Sequence, residues 1–154
     1  MPQGQFKLFN HTAELIAAGK LGDLTGETVK LALVGPMPAV TNADPRFGTG
    51  GGTNLSTNEV SGTGYTAGGN ECANLTVNRT NGVATVDVDD PDEWAKDDAG
   101  PTGIRAGIVY LSSHANKHAL GYIDMTTDGT TPVSLRDASL PVQIPSLFTV
   151  AVNV

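Results

Sequence analysis

The sequence predicts a mainly β protein, an antiparallel β-sandwich or barrel-like fold of about seven strands with one short N-terminal helix. Three observations lead there. Apolar residues alternate with period two in several short runs. Gly, Pro and Asn punctuate those runs at close intervals, with 19 Gly and 9 Pro in 154 residues. Only one early segment places its apolar residues at helical spacing.

That segment comes first. Phe9, Ala13, Ile16 and Ala17 share a helical stripe, Asn10-His11-Thr12 offers N-cap chemistry, and Gly19 supplies a left-handed stop. The spacing predicts a helix from Thr12 to Ala18 that packs one stripe on a sheet. A strand follows from Glu27 to Val34, with Val29, Leu31 and Leu33 on one face. Gly35-Pro36-Met37-Pro38 ends it, because proline cannot donate to a ladder.

Residues 36–69 read as an irregular, glycine-rich arm within a single 1–154 domain. Gly48 to Thr53 is expected to be mobile or draped over a neighbour. Fixing a residue costs about 1–2 kcal/mol of backbone entropy, so a neighbour's contacts are expected to order the arm. Phe47 and Leu55 are its candidate apolar anchors, Arg46 its candidate charge, and Tyr65 lies in its closing glycine-rich turn.

Strands are then predicted at Cys72–Asn78, Val83–Val88, Ile104–Leu111, Leu120–Met125, Val133–Arg136 and Phe148–Val154. Asn81-Gly82 is a strong hairpin signal between the first two. Ala73, Leu75 and Val77 share one face, as do Ala84, Val86 and Val88. Ile104–Leu111 is apolar on both faces near its end, which predicts a central strand.

Charge narrows the function classes. Charged residues are only 16% of the chain, against about 25% in typical domains. The net charge is −7, and Asp87, Asp89, Asp90, Asp92, Glu93, Asp97 and Asp98 crowd one stretch with Lys96 alone opposing them. No Lys/Arg cluster exists to displace counterions, so direct nucleic-acid binding is not expected. No apolar run approaches a membrane span, and Met1 to Lys7 lacks a signal-peptide pattern. The Asn-x-Ser/Thr triplets at Asn10, Asn54, Asn74 and Asn78 are read as chance. Cys72 is the only cysteine, which excludes an intrachain disulfide and predicts a small buried hydrophobe.

Chemical motifs are weak. Gly62-x-Gly64-x-x-x-Gly68 has the wrong spacing for a dinucleotide loop and reads as tight turns. The acidic stretch lacks the glycine of an EF-hand loop, so a solvated or partner-facing loop is preferred over a calcium site. His114 and His118 are four apart but lack a zinc motif's intervening Glu, and Asn116-Lys117 suggests a turn. Ser112-Ser113-His114 carries no nucleophile signature, and G-x-S-x-G is absent. No metal, cofactor or catalytic residue is expected. Trp94 is either a partner anchor or a lid on the core.

Four stretches resemble a widespread group of small tailed-phage virion proteins. These are Phe9-Asn10 through the helix to Gly19 with Leu24 to Leu33, Asn58 to Gly69, Arg105 to Tyr110, and Leu120 to Asp124. In that group a Trp usually precedes the Tyr-bearing strand, and Trp94 matches loosely. The chain departs from the pattern in its 36–57 insertion, in Ser113 to His118, and in Leu140 to Pro145. The resemblance implies a non-enzymatic virion structural protein. From it follows a capsid decoration (cement) protein on the outside of the head, made in the bacterial host cytoplasm. Its partners would be the major capsid protein and copies of itself, as dimer or trimer. A tail, baseplate or receptor-attachment component is the alternative. The interface residues expected on this reading are Arg46, Phe47, Leu55, Tyr65, Asp89, Asp90, Asp92 and Trp94.

Overall fold

The computed structural model describes residues 4–151. In chain order the elements are β1 (Phe6–Leu8), α1 (Asn10–Ala17), β2 (Val29–Val34), β3 (Pro45–Arg46), β4 (Thr53–Asn54), β5 (Asn70–Cys72), β6 (Thr76–Thr80), β7 (Val83–Asp87), β8 (Ala106–Leu111), β9 (Ala119–Asp124) and β10 (Phe148–Ala151). Five strands form the main sheet in the order β1-β9-β8-β2-β5, with every pairing antiparallel. A second antiparallel sheet runs β10-β7-β6, and β3 and β4 make a short parallel pair. The protein is thus mainly β with one helix, as its alternation predicts. The main sheet stays open, with β1 and β5 at its ends, so no barrel closes.

The main sheet is apolar on both faces, and the two faces have different covers. Successive strand side chains point oppositely, so Val29, Leu31 and Leu33 go to one face with Val109, Leu111 and Ile123. Val86 and Phe148 of the second sheet cover that face, with Trp94, Leu135 and Leu140 from the long loops. Ala32, Val34, Ala106, Ile108, Tyr110 and Tyr122 form the other face, and Phe9, Phe47 and Leu55 cover it. Every residue of β8 is buried. It lies at the centre of the order, as its two-sided apolar pattern predicts.

Two sequence expectations need correction. The Cys72–Asn78 strand breaks at Asn74, whose φ of 55° turns the chain out of the main sheet and into the second one. Val77 therefore ends 44% exposed instead of sharing a buried face with Ala73 and Leu75. Val133–Arg136 is no strand, since Val133 makes only an isolated bridge to Ile104. The last strand is seen as Phe148–Ala151, and the rest of its predicted range lies outside the described residues.

The helix begins at Asn10, with Phe9 at its N-cap position and no side-chain cap. Its buried residues are Thr12 and Leu15, and Ala13 and Ala17 of the predicted stripe are exposed. Thr12 can be buried because its hydroxyl donates to the Leu120 carbonyl at 2.7 Å. The stop at Gly19 is as predicted: its φ is 65°, and Gly19 N and Lys20 N donate to the Ile16 and Leu15 carbonyls.

Candidate functional site

The stretch Asn58 to Gly69, the most distinctive in the sequence, closes an exposed strand edge. β5 pairs with β2 only over Val29–Leu31. Beyond it, Leu33 N donates to the Tyr65 hydroxyl at 3.0 Å, Val60 N donates to the Leu33 carbonyl, and Gly35 N to that of Asn58. The Tyr65 hydroxyl donates in turn to Glu59 Oε1 at 2.7 Å, and that oxygen also accepts from Gly68 N at 2.6 Å. The Tyr110 hydroxyl donates to the Gly68 carbonyl at 2.8 Å. Gly69 must be glycine: its φ is 77°, and a Cβ there would lie 1.8 Å from the Leu31 carbonyl oxygen. Gly64 and Gly68 take positive φ, as the tight-turn reading expects. This segment is therefore a plug that satisfies a strand edge, and Tyr65 is half-buried inside it. Burial first, then the Glu59 carboxylate, holds the Tyr65 hydroxyl far above the ordinary tyrosine range. Burial likewise pushes the Tyr110 hydroxyl up to about 12.

The arm before it is ordered by the chain's own sheet. Phe47 is 5% and Leu55 3% exposed, and the Phe47 ring stacks on Tyr110 with centroids 4.4 Å apart. Neither anchor is on the surface, and no neighbouring chain is needed to hold them. Phe47 N donates to the Lys117 carbonyl, and Arg46 forms a bridge with His118. The glycine run folds back tightly on the arm: a Cβ at Gly51 would come 2.5 Å from the Asp44 carbonyl oxygen, and one at Gly52 2.6 Å from that of Ala43. Its glycines permit close packing on the arm itself, where the sequence reading expected a loop that is mobile or draped over a neighbour.

This packing assembles a site that the sequence reading missed. Two of the chain's three histidines, His11 and His118, meet at Asp44 from segments far apart in sequence, and His114 lies beside His118. His11 comes from α1, Asp44 and Arg46 from the arm, and His114 and His118 from the β8–β9 connection. His11 Nε2 lies 3.2 Å and His118 Nδ1 3.9 Å from Asp44 Oδ1. Arg46 grips the same carboxylate, with Nη2 2.8 Å from Oδ2 and Nε 3.1 Å from Oδ1, and its Nη1 donates to Asn116. That grip chiefly keeps the Asp44 carboxyl below its ordinary range. The backbone of Asp44 is itself left-handed, with φ 36°. The His114 and His118 rings are 4.9 Å apart. His118 is 3% exposed, and its Nδ1 has no hydrogen-bond partner. Burial, helped by His114 and Arg46, holds its imidazole below the ordinary histidine range, while Asp44 pulls the other way. His11, Asp44, Arg46, Asn116 and His118 line an open depression. The sequence signal that fails here is spacing. The His114/His118 pair is visible, but the ligand set is long-range.

The acidic stretch has a different use for its carboxylates. Asp90 Oδ1 accepts from Ile144 N at 2.6 Å, Asp89 Oδ2 from Asn74 at 2.6 Å, and Asp97 Oδ1 from Ala99 N at 2.8 Å. Asp92 is exposed, and its backbone carbonyl accepts from Asn70. Asp89, Asp90 and Asp97 thus each serve a backbone or side-chain donor, and the acids of this stretch do not converge. Among the described residues, His11, Asp44 and His118 are the one grouping of three or more such ligands within 4.8 Å of each other. Trp94 is 2% exposed, bridged to Leu140, and sits in the core as a lid. Ser112 and Ser113 donate to the Thr28 carbonyl and the Glu27 carboxylate, so their bonds run to β2 and its approach. Burial pushes the Cys72 thiol up to about 12, with Asp90 and Glu71 adding to it.

The largest uncovered apolar side chains lie elsewhere. Among the described residues Val77 (44%) and Val150 (45%) are the exposed large hydrophobics, and both belong to the second sheet. All five residues of β6 are exposed, and one edge of that strand is unpaired. No helix of the structure is long and apolar enough to cross a membrane. No protein-family model matches the chain, and neither a curated protein nor a solved structure matches it.

Proposed function

We propose that the chain is a non-enzymatic virion structural protein, a capsid decoration protein that binds the outside of a phage head. Its partners on this reading are the major capsid protein and copies of itself, as dimer or trimer. The observation that carries the proposal is the second sheet. A solvated three-stranded sheet with a free β6 edge and two exposed valines is what strand addition to another chain requires. The acidic stretch adjoins β7 directly, and its exposed Asp89, Asp90 and Asp92 add a surface suited to basic groups. The resemblance in Asn58–Gly69 supports the same reading, because that segment serves the fold and not a reaction. Weak contacts repeated by symmetry stabilise a shell strongly.

Cryo-electron microscopy of virions carrying the chain tests this. Density on the outer head surface is expected. Density on the tail alone would replace decoration with attachment or baseplate function. Binding to shells should also weaken with salt, as the ~8 Å screening length at physiological ionic strength shortens.

A further inference from the structure

We propose that His11 Nε2, His118 Nδ1 and a carboxylate oxygen of Asp44 bind one divalent transition-metal cation of the zinc type. The ligand atoms lie within 4.8 Å of one another before any ion enters. A tetrahedral zinc with bonds of about 2.0–2.1 Å sets its ligands roughly 3.3 Å apart. The His11–Asp44 separation of 3.2 Å already matches this, and the His118–Asp44 separation of 3.9 Å has to close by about 0.6 Å when the ion binds. Two imidazoles and one carboxylate suit zinc and leave a fourth position towards the open depression.

A purely structural ion-pair cluster accounts for most of these atoms. His11 and Arg46 both serve Asp44 as hydrogen-bond or ionic partners. It does not account for His118. Its Nδ1 is buried, lacks a hydrogen-bond partner, and is too far from Oδ1 to form one. Leaving a buried polar atom unpaired costs about 1–3 kcal/mol. A cation removes that cost, since an imidazole nitrogen lone pair is a metal ligand. The Trp94 Nε1 atom is also unpartnered, but it is only a donor and can ligate nothing.

Arg46 opposes a cation by charge and helps it by position. Its Nε must yield Oδ1 to the ion, while Nη2 keeps Oδ2 at 2.8 Å. Ligating carboxylates are commonly oriented by such a second hydrogen bond. The ion would tie α1, the arm and the β8–β9 connection together, and clips that close long loops stabilise most.

The test uses the whole chain, freed of metal by chelation and titrated with Zn²⁺ by calorimetry. Co²⁺ gives an independent optical reading of tetrahedral geometry. Copper and nickel are avoided because they favour nitrogen ligands generally. One ion per chain, a raised Tm, and a visible Co²⁺ band that Zn²⁺ abolishes are expected. His118→Ala is a poor probe, because a buried position risks the fold. His11→Gln and Asp44→Asn, at partly exposed residues, should each weaken binding by more than about tenfold. His114→Gln, at a ring that neighbours His118 but supplies none of the three ligand atoms, should weaken it less than either. No saturable binding would overturn the site. So would binding undiminished in both His11→Gln and Asp44→Asn, or lost only in His114→Gln.

Discussion

The arm over residues 36–69 and the second sheet are both attachments to the main sheet, and they behave in opposite ways. The arm is nearly without regular structure, with two residues in each of its strands. Yet it buries Phe47 and Leu55 and seals the free edge of β2. The second sheet is regular, with a five-residue hairpin register. Yet β6 buries nothing, and only Val86 and Phe148 reach the core. Regularity satisfies backbone groups; burial stabilises the fold. In this molecule the two are assigned to different regions, and the regular one keeps a solvated face and a free β6 edge.

Glycine substitutions give the sharpest contrast. Gly69 and Gly82 have nearly the same φ, 77° and 78°. A Cβ at Gly69 would collide with the Leu31 backbone, whereas at Gly82 nothing lies within 4 Å. Gly82→Ala should therefore cost only the left-handed strain of about 1–2 kcal/mol. Gly69→Ala should be the most damaging single change, exceeding about 4 kcal/mol or preventing folding. Urea denaturation of both variants measures this. Equal costs would mean that the β2 edge is not sealed as described.

Side-chain truncations come next in size. Phe47→Ala removes a buried ring stacked on Tyr110 and should cost about 3–5 kcal/mol. Val77→Ala, on an exposed strand, should stay within about 0.5 kcal/mol. Deleting Phe47 to Leu55 should unfold the chain, since Phe47 and Leu55 cover one face of the main sheet. If Phe47→Ala were as mild as Val77→Ala, the arm would be an ornament and the comparison would collapse.

The main strands were legible in the sequence because their chemistry is local. Val29–Val34 and Ala106–Leu111 alternate or run apolar, and Asn81-Gly82 marks its own hairpin. The break at Asn74 was not legible, because strand propensity continues through it while the two sheets demand a change of direction. The arm's packing is hidden for a related reason. Glycine content reports permitted backbone conformations, and Gly51 and Gly52 use that freedom for close packing instead of motion. Phe47 and Leu55 read as interface residues, and Trp94 as either anchor or lid, because single large apolar residues in irregular segments look unpartnered until a sheet face lies beneath them. The histidine cluster was invisible because its members meet only after α1, the arm and the β8–β9 connection converge.

Alkaline pH provides a graded version of the comparison, since the plug at the end of the arm depends on two tyrosine hydroxyls. Both are held above the ordinary value, mainly by burial. A raised folded pKa means that the fold favours the protonated hydroxyl. The resulting stability is fully present below the unfolded value of about 10 and is lost as pH rises through the folded values. Unfolding midpoints should fall above pH 10, and the loss should shrink in Tyr65→Phe. That variant takes the acceptor from Leu33 N and leaves Glu59 Oε1 with Gly68 N alone, so it will start from a lower stability. A midpoint unchanged up to pH 12 would show that the hydroxyls are solvated in solution.

The smallest expected effect lies in the acidic stretch, where stability and binding should separate. Asp89 and Asp90 hold Asn74 and Ile144 N through single carboxylate oxygens, and an amide oxygen accepts the same bonds. Asp92 uses only its backbone carbonyl, which no side-chain change removes. The triple variant Asp89→Asn, Asp90→Asn, Asp92→Asn should therefore keep its denaturation midpoint, with a change of about 0.5 kcal/mol or less. It also relieves repulsion among crowded acids, which offsets any weakening of the two hydrogen bonds. If the stretch meets basic groups on a shell, the same variant should bind shells more weakly and lose most of its salt dependence. Unchanged binding at every ionic strength would confine the contact to the β6 edge. A large loss of stability would instead make these carboxylates part of the fold, as the arm's buried residues are.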